Sequence, residues 1–297
     1  MSCIGSLRRK MRPVILLALP CASILGASAS DFFNVGCVNC GAFHYNKKLA
    51  TREEFQAEWS RLVKENPQDV FFYEDVGKGS PGEISLPSLD IRASAAEKPV
   101  GVDVVGLPHT IETAGGRRRT PRYRAMRLVF DCGGRKLAVY GVHLVAEGHI
   151  KGGSPELGGR SYSKQLRRIQ FQALVDDAKK FDFAILTGDF NAQEAWEYDV
   201  FREAGYSIAN CSAEYGTQAT LRNIPADNII VSPGLSIAGF KVLRGYLLDT
   251  DHFPIAARVR LPSPSGSHGQ IRRERNAWRH GRTSGVGLCQ KGVQLNG

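Results

Sequence analysis

Between residues 31 and 261, short apolar runs repeatedly end on a polar side chain, with no internal repeat and no linker between them. Residues 69–74 (DVFFYE) read as a buried strand, rich in Val and aromatics, that delivers Glu74 at its end. Residues 137–144 (LAVYGVHL) form another, ending near His143. Residues 183–187 (FAILT) form a third, and Gly188-Asp189-Phe190-Asn191 turns directly off it. Residues 227–232 (DNIIVS) open on Asp227. Residues 255–261 follow Asp251 and His252, with Ile255, Ala257 and Val259 inward against Ala256, Arg258 and Arg260. A short run near the start carries Asn34.

Helical patterns interrupt the strands. Thr51 and Glu54 form a capping box ahead of Phe55, Trp59, Leu62 and Val63, until Pro67 stops the run. Residues 163–181 are a second helix, with Leu166, Ile169 and Ala173 on one face. Strands mixed with helices and no linker predict a single α/β domain over residues 30–261. Residues 77–126 are the least readable stretch, with scattered Gly and Pro. Their basic run, Arg117, Arg118, Arg119, Arg122 and Arg124, reads by itself as a solvated loop.

Composition matters mainly through charge. A 297-residue chain with 42% hydrophobic and 23% charged residues excludes fibrous and wholly disordered classes, but its net charge of +10 suggests a polyanion partner. That charge sits at the ends. Residues 1–29 carry +4 and residues 262–297 carry +5, which leaves +1 for the body. The first 29 residues read as a secretory signal: a basic stretch through Arg12, an apolar run from Val14 to Leu25, and Ala27-Ser28-Ala29 as the cleavage site. The run is too short to span a bilayer, and nothing else in the chain could. Export to the periplasm or medium follows; a misassigned N-terminus would mean a cytoplasmic protein instead. Residues 262–297, basic and glycine-rich, read as a solvated tail.

Five cysteines would remain after cleavage, so parity excludes a complete disulfide framework. Cys37 and Cys40 form a C-x-x-C, followed by His44. A local disulfide and a pair of buried thiols both suit it, whereas zinc lacks a second pair of ligands at the right spacing.

Polar groups at strand ends are usually caps or turn residues. Their recurrence here, as hard oxygen ligands plus two imidazoles, suits a divalent metal and a phosphate ester presented at the ends of an α/β sheet. In order along the chain, FNVG (Asn34), QDVFFYEDV (Glu74), YGVHL (His143), ILTGDFNA (Asp189, Asn191), PADNIIVS (Asp227) and TDHFPIAARV (Asp251, His252) resemble the endonuclease/exonuclease/phosphatase superfamily. The resemblance covers about residues 31–261 and implies the DNase I-like fold, a four-layer sandwich of two mixed β-sheets flanked by helices.

The resemblance also implies roles. Glu74 and Asn34 would hold Mg2+, with Mn2+ as the alternative ion. Asp251 would contact the metal or the catalytic histidine. Asp227 would orient His252, which would act on the attacking water as base or polariser with help from Asp189. Asn191 would donate to a phosphate oxygen, and His143 would stabilise the transition state or protonate the leaving oxygen. Tyr123 is the candidate for a substrate-binding tyrosine. One departure stands out: the family's first strand runs several residues before its Asn, and a chain cut after Ala29 offers only Ser30 to Phe33. The implied activity is metal-assisted hydrolysis of a phosphate ester, a nuclease-like diester before others, by a monomer. The alternatives are a phosphatase or sphingomyelinase-like headgroup hydrolase acting on lipid, and an inactive binding module on the same fold.

Overall fold

Strand period two decides where this chain puts its core. The computed structural model describes residues 31–262 except 42–51, 77–81, 88, 114, 121–122, 151, 155–159, 222, 247 and 249. The signal segment, the arginine-rich tail from residue 263 on, and the capping residue Thr51 lie outside the described residues.

The chain opens with β1 (Phe32–Asn39), α1 (Arg52–Glu65) and β2 (Val70–Glu74). The stretch that sequence left unread then supplies β3 (Ile84–Ser85), β4 (Ile91–Ala95), β5 (Gly101–Gly106) and a small ribbon of β6 (Thr110–Ile111) and β7 (Arg118–Arg119). Next come the hairpin β8 (Arg124–Cys132) and β9 (Arg135–His143), a second ribbon β10 (Gly153–Ser154) and β11 (Arg160–Ser161), and α2 (Tyr162–Ala178). The last third holds β12 (Phe183–Asp189), a 3-10 turn at Ala195–Tyr198, α3 (Asp199–Glu203), β13 (Ser207–Ile208), β14 (Asp227–Val231), β15 (Ser236–Val242) and β16 (Ile255–Arg260).

Two six-stranded sheets result, ordered β15-β16-β1-β2-β4-β3 and β13-β14-β12-β9-β8-β5. Both are mixed: β1–β2 and β9–β12 run parallel, while their other neighbours run antiparallel. The inward residues of the first sheet, among them Val35, Cys37, Val70, Phe72 and Ile255, meet Leu128, Val139, Ile185 and Ile229 of the second in one buried cluster. The sheets approach closely in its middle. A Cβ on Gly141 would lie 2.2 Å from the ring of Phe72, so only glycine fits that position. Outside the first sheet, α1 lays Trp59 and Leu62 on Val38, Phe71 and Tyr73. Outside the second, Phe171, Leu174 and Val175 of α2 and Phe201 of α3 cover Tyr140, Leu186 and Ile230. The expected four-layer sandwich is the fold observed.

The helix faces differ in part from expectation. Val63 and Ile169 are exposed, and α2 turns Ser163, Arg167 and Gln170 inward. An apolar count misses a helix whose buried stripe is partly polar, and that stripe has work to do at the site. Cys37 and Cys40 are buried free thiols. Cys37 belongs to the cluster between the sheets and Cys40 to the one under α1, which keeps them apart.

Candidate active site

Parallel pairing brings the carboxyl ends of β1, β2, β9 and β12 to one end of the sandwich. The registers set Asn39 beside Glu74 and Asp189 beside both His143 and Asp227. All five occupy inward positions of their strands, continuing the rows of Cys37, Phe72, Val139, Ile185 and Ile229. His252 joins them from the turn before β16, its Nδ1 2.9 Å from Asp227 Oδ2. The amide of His252 and the carbonyl of Asn39 share one fastener: Thr250 Oγ1 accepts from the first at 3.1 Å and donates to the second at 2.7 Å.

Asp189 is the hub. Its carboxylate accepts from Asn39 Nδ2 and from the amide of Asn191, both at 2.8 Å. Nε2 of His143 and Nε2 of His252 each stand 3.9 Å from its Oδ2. Gly188 makes this crowding tolerable. Its φ is +135°, and a Cβ there would sit 2.1 Å from the carbonyl of Val142 and 3.0 Å from Glu74 Oε1. Asn191 takes a left-handed conformation (φ 53°), which asparagine accepts more readily than most residues. Its Nδ2 donates to the carbonyl of Leu144 at 3.0 Å.

Electrostatics follow from burial and crowding. Glu74 is fully buried, and among the described residues neither of its carboxylate oxygens has a hydrogen-bond partner. Burial, reinforced by the charges of Asp227 and Asp189, raises its pKa well above the usual carboxylate range. Burial opposes charge on both histidines, but their carboxylate partners prevail. His252 is raised to about 9 by Asp227, Asp189 and Asp251, and His143 to about 9 by a 3.2 Å contact with Asp90 and the charge of Asp189. Two groups of donor atoms, those of Asp189, Asp227 and His252 and those of Asp75, Asp90 and His143, each lie within 4.8 Å of one another.

Most of the sequence-predicted residues are brought together here: Glu74, His143, Asp189, Asn191, Asp227 and His252. Asp251 is half-buried and adds its charge to the field at His252, but it supplies no atom to either donor group. Tyr123 Oη lies 2.5 Å from His149 Nδ1, and its hydroxyl is pushed up to about 12 by burial, with Asp90 and Asp189 adding to the shift.

Asn34 is not at the site. It stands at the opposite end of β1 and on the outward parity, where its amide and Nδ2 both donate to Asp69, at 2.6 and 3.2 Å. It clips the starts of β1 and β2 together. Asn39 takes the position expected of it, and the apparent shortness of the first strand disappears, since seven residues of β1 precede Asn39. Parity could have shown this: Phe33, Val35 and Cys37 are the inward set, and Asn39 continues it. Asp90 and Asp75 gave no such signal, because Asp90 reaches His143 only through the pairing of β4 with β2.

The polar stripe of α2 holds the loops that carry these groups. Ser163 Oγ accepts from the amide of Ile150 at 3.0 Å, and Gln170 donates to the carbonyl of Pro108 at 2.8 Å. Fully buried Arg167 donates to the carbonyl of Val145 at 2.7 Å and to Glu197 at 2.8 and 2.6 Å. Glu197 in turn accepts the amides of Gln193 and Glu194, just past Asn191. A buried ion pair of this kind has value when every partner is satisfied, as Arg167 and Glu197 are.

The architecture is the DNase I-like fold of the endonuclease/exonuclease/phosphatase superfamily, with polar groups gathered where the two sheets share an end. No family model matches the sequence, and no curated protein matches it. Solved structures do match. An endonuclease/exonuclease/phosphatase from Beutenbergia cavernae DSM 12333 is 16% identical with a TM-score of 0.54, over 78% of this chain and 72% of that one. The human Nocturnin catalytic domain with bound sulfate is 15% identical with a TM-score of 0.54, over 77% and 94%. D. rerio TDP2 complexed with a single strand DNA product is 14% identical with a TM-score of 0.52, over 77% and 99%. Identities this low establish the fold and leave the activity to be argued from the site. Among the described residues, no helix is long and apolar enough to cross a membrane.

Proposed function

We propose that this protein is a Mg2+-dependent phosphodiesterase. The observation that carries the reading is Glu74: a carboxylate with both oxygens buried and, among the described residues, unpartnered, facing Asp189 and Asp227 of the opposite sheet, is too costly to retain without a cation to complete it. Oxygen donors without a cysteine suit Mg2+, or Mn2+, over softer metals. Glu74 and Asn39 would hold the ion, which when bound supplies neutralisation of the charge that builds on the phosphoryl group.

The chain's own groups divide the remaining work. Asp227 fixes the ring of His252 through Nδ1 and directs Nε2 toward Asp189. With its proton held up to about pH 9, that ring is a charged donor to a phosphate oxygen. Asp189, held by Asn39 and Asn191, orients the attacking water and accepts its proton. His143, kept charged by Asp90, faces the developing charge from the other side and can protonate the leaving oxygen. Asn191 donates to a phosphate oxygen, and Asp251 acts through His252. Tyr123 keeps its phenol neutral and would have to turn its hydroxyl from His149 to donate to substrate. The complete set of Glu74, His143, Asp189, Asp227 and His252, the last four held by hydrogen bonds, favours an intact catalyst over a binding module.

The test is hydrolysis of bis-p-nitrophenyl phosphate and of a labelled oligonucleotide, in Mg2+ and in EDTA, by wild type and His252→Ala. The expected result is a metal-dependent rate that falls at least about 100-fold on substitution. A wild type with no metal-dependent rate on either diester refutes the proposal.

A further inference from the structure

The arginine run that read as a solvated loop has a fixed address. Residues 107–126 carry five arginines against Glu112, a net +4; with the body at +1, everything else between residues 30 and 261 sums to −3. All of the body's positive excess is therefore in one twenty-residue stretch, and that stretch builds the β6–β7 ribbon and enters β8.

The ribbon is tied to the site at its base. Leu107 donates its amide to the carbonyl of Tyr123, Thr120 donates to that of His109, and Gln170 holds Pro108 from below. Ile111 is buried with Val145, Ile150, Tyr162 and Leu166, with Tyr123 packed against them. Those contacts include the loop that follows His143, so the base of the ribbon is anchored beside the catalytic groups. Arg124, at the start of β8, adds its charge to the field at Asp90.

At the outer end, Arg117 pairs with Glu112 at 2.7 Å, whereas Arg118 and Arg119 are exposed and form no ion pair among the described residues. Two unpaired arginines on a ribbon anchored beside the His143 loop offer positive charge to an anion that extends beyond the catalytic groups. Arg119 is four positions from Tyr123, a reach of at most about 14 Å. At roughly 3.4 Å per nucleotide along a strand, that span covers at most about four nucleotides.

We propose that the β6–β7 ribbon is a phosphate-gripping arm, with Arg118 and Arg119 holding the backbone of a nucleic-acid strand whose scissile phosphate lies between His143 and His252. This rests on the phosphodiesterase reading and names its substrate class. A membrane surface fits the arm less well: the turn from Glu112 to Arg117 contains no large apolar side chain to insert among lipids. Backbone contacts carry no base information, so the grip is blind to sequence.

Binding of a fluorescein-labelled 12-nucleotide single strand, followed by anisotropy in EDTA across a salt series, tests the arm without turnover. For Arg118→Ala/Arg119→Ala, two lost phosphate contacts make the log–log salt slope shallower by about 1.4 and binding about 25-fold weaker at 0.1 M salt, converging on wild type near 1 M. Two unrelated base sequences should lose equally. Arg258→Ala/Arg260→Ala, on the outward face of β16, is the control and should keep the wild-type slope. The assignment is overturned by an unchanged slope in the ribbon variant, by a slope change only in the control, or by loss of binding to anionic vesicles with strand binding intact. A protein that binds the strand through these arginines yet hydrolyses no diester sinks the catalytic proposal and leaves the arm standing.

Discussion

Glu74→Gln should make the metal-free protein more stable while removing its response to metal. In the absence of a cation, both oxygens of Glu74 are buried without a partner among the described residues, and Asp189 and Asp227 press further negative charge on them. Gln at this position is equally unpartnered but carries no charge, so what the substitution relieves is the extra cost of burying charge, about 1–3 kcal/mol. For a body of this size, each kcal/mol shifts Tm by about 2–4 °C, so the gain in EDTA is about 2–12 °C. The gain should depend on pH with a definite sign. A carboxyl whose folded pKa is raised costs nothing below its unfolded value of 4.5; its penalty grows as pH rises from there and is complete once pH passes the folded value. The advantage of Glu74→Gln in EDTA is therefore larger at pH 8 than at pH 5. Adding Mg2+ at 100 times its Kd stabilises wild type by about 2.7 kcal/mol, about 5–11 °C, and should leave the variant nearly unmoved. Differential scanning calorimetry in EDTA and in Mg2+ at the two pH values reads all four quantities. A variant less stable than wild type in EDTA, or one with an undiminished Mg2+ shift, would refute the assignment of Glu74 as a ligand.

The other expectations concern positioning and strain. Asn39→Ala should lower kcat at least about 100-fold, while Asn34→Ala should keep its rate and lose about 1 kcal/mol of stability to urea; the reverse pattern would restore Asn34 to the site. Asp90→Asn removes the partner that keeps His143 charged up to about 9, so the alkaline limb of the kcat–pH profile should move down by roughly one unit or more. An unmoved limb would mean that His143 does not set it. Gly188→Ala must fit a Cβ 2.1 Å from the carbonyl of Val142 at a φ of +135°, and should cost about 2–6 kcal/mol in chemical denaturation. Wild-type stability in that variant would show that the turn is less constrained than its geometry implies.

Local pattern is strong wherever a residue's role follows from its neighbours in sequence. Glu74, His143, Asp189, Asp227 and His252 were readable because each follows or opens an apolar run, and a strand end in an α/β sheet is where ligands meet the fold. The layer order was readable for the same reason, since alternating inward residues demand a second sheet to cover them. Asn34 fits the motif by residue type but lies on the outward parity of β1, whereas Asn39 continues the inward set of Phe33, Val35 and Cys37. The face of α2 was misread because Ser163, Arg167 and Gln170 are buried to hold loop backbones, and an apolar period cannot register polar residues that are inside.

Other features were beyond any reading of the chain. Asp90 finds His143 across 53 positions of sequence, through strand pairing that involves a stretch without clear periodicity. The unpartnered state of Glu74 and the raised histidines are products of burial among distant carboxylates, and composition reports how many charges exist without saying which share a pocket. The arginine ribbon shows the division most plainly. The sequence by itself determined that five arginines lie close together, whereas tertiary structure decided that the ribbon bearing Arg118 and Arg119 is anchored beside the His143 loop, because a hydrogen bond from α2 and packing with that loop hold it there.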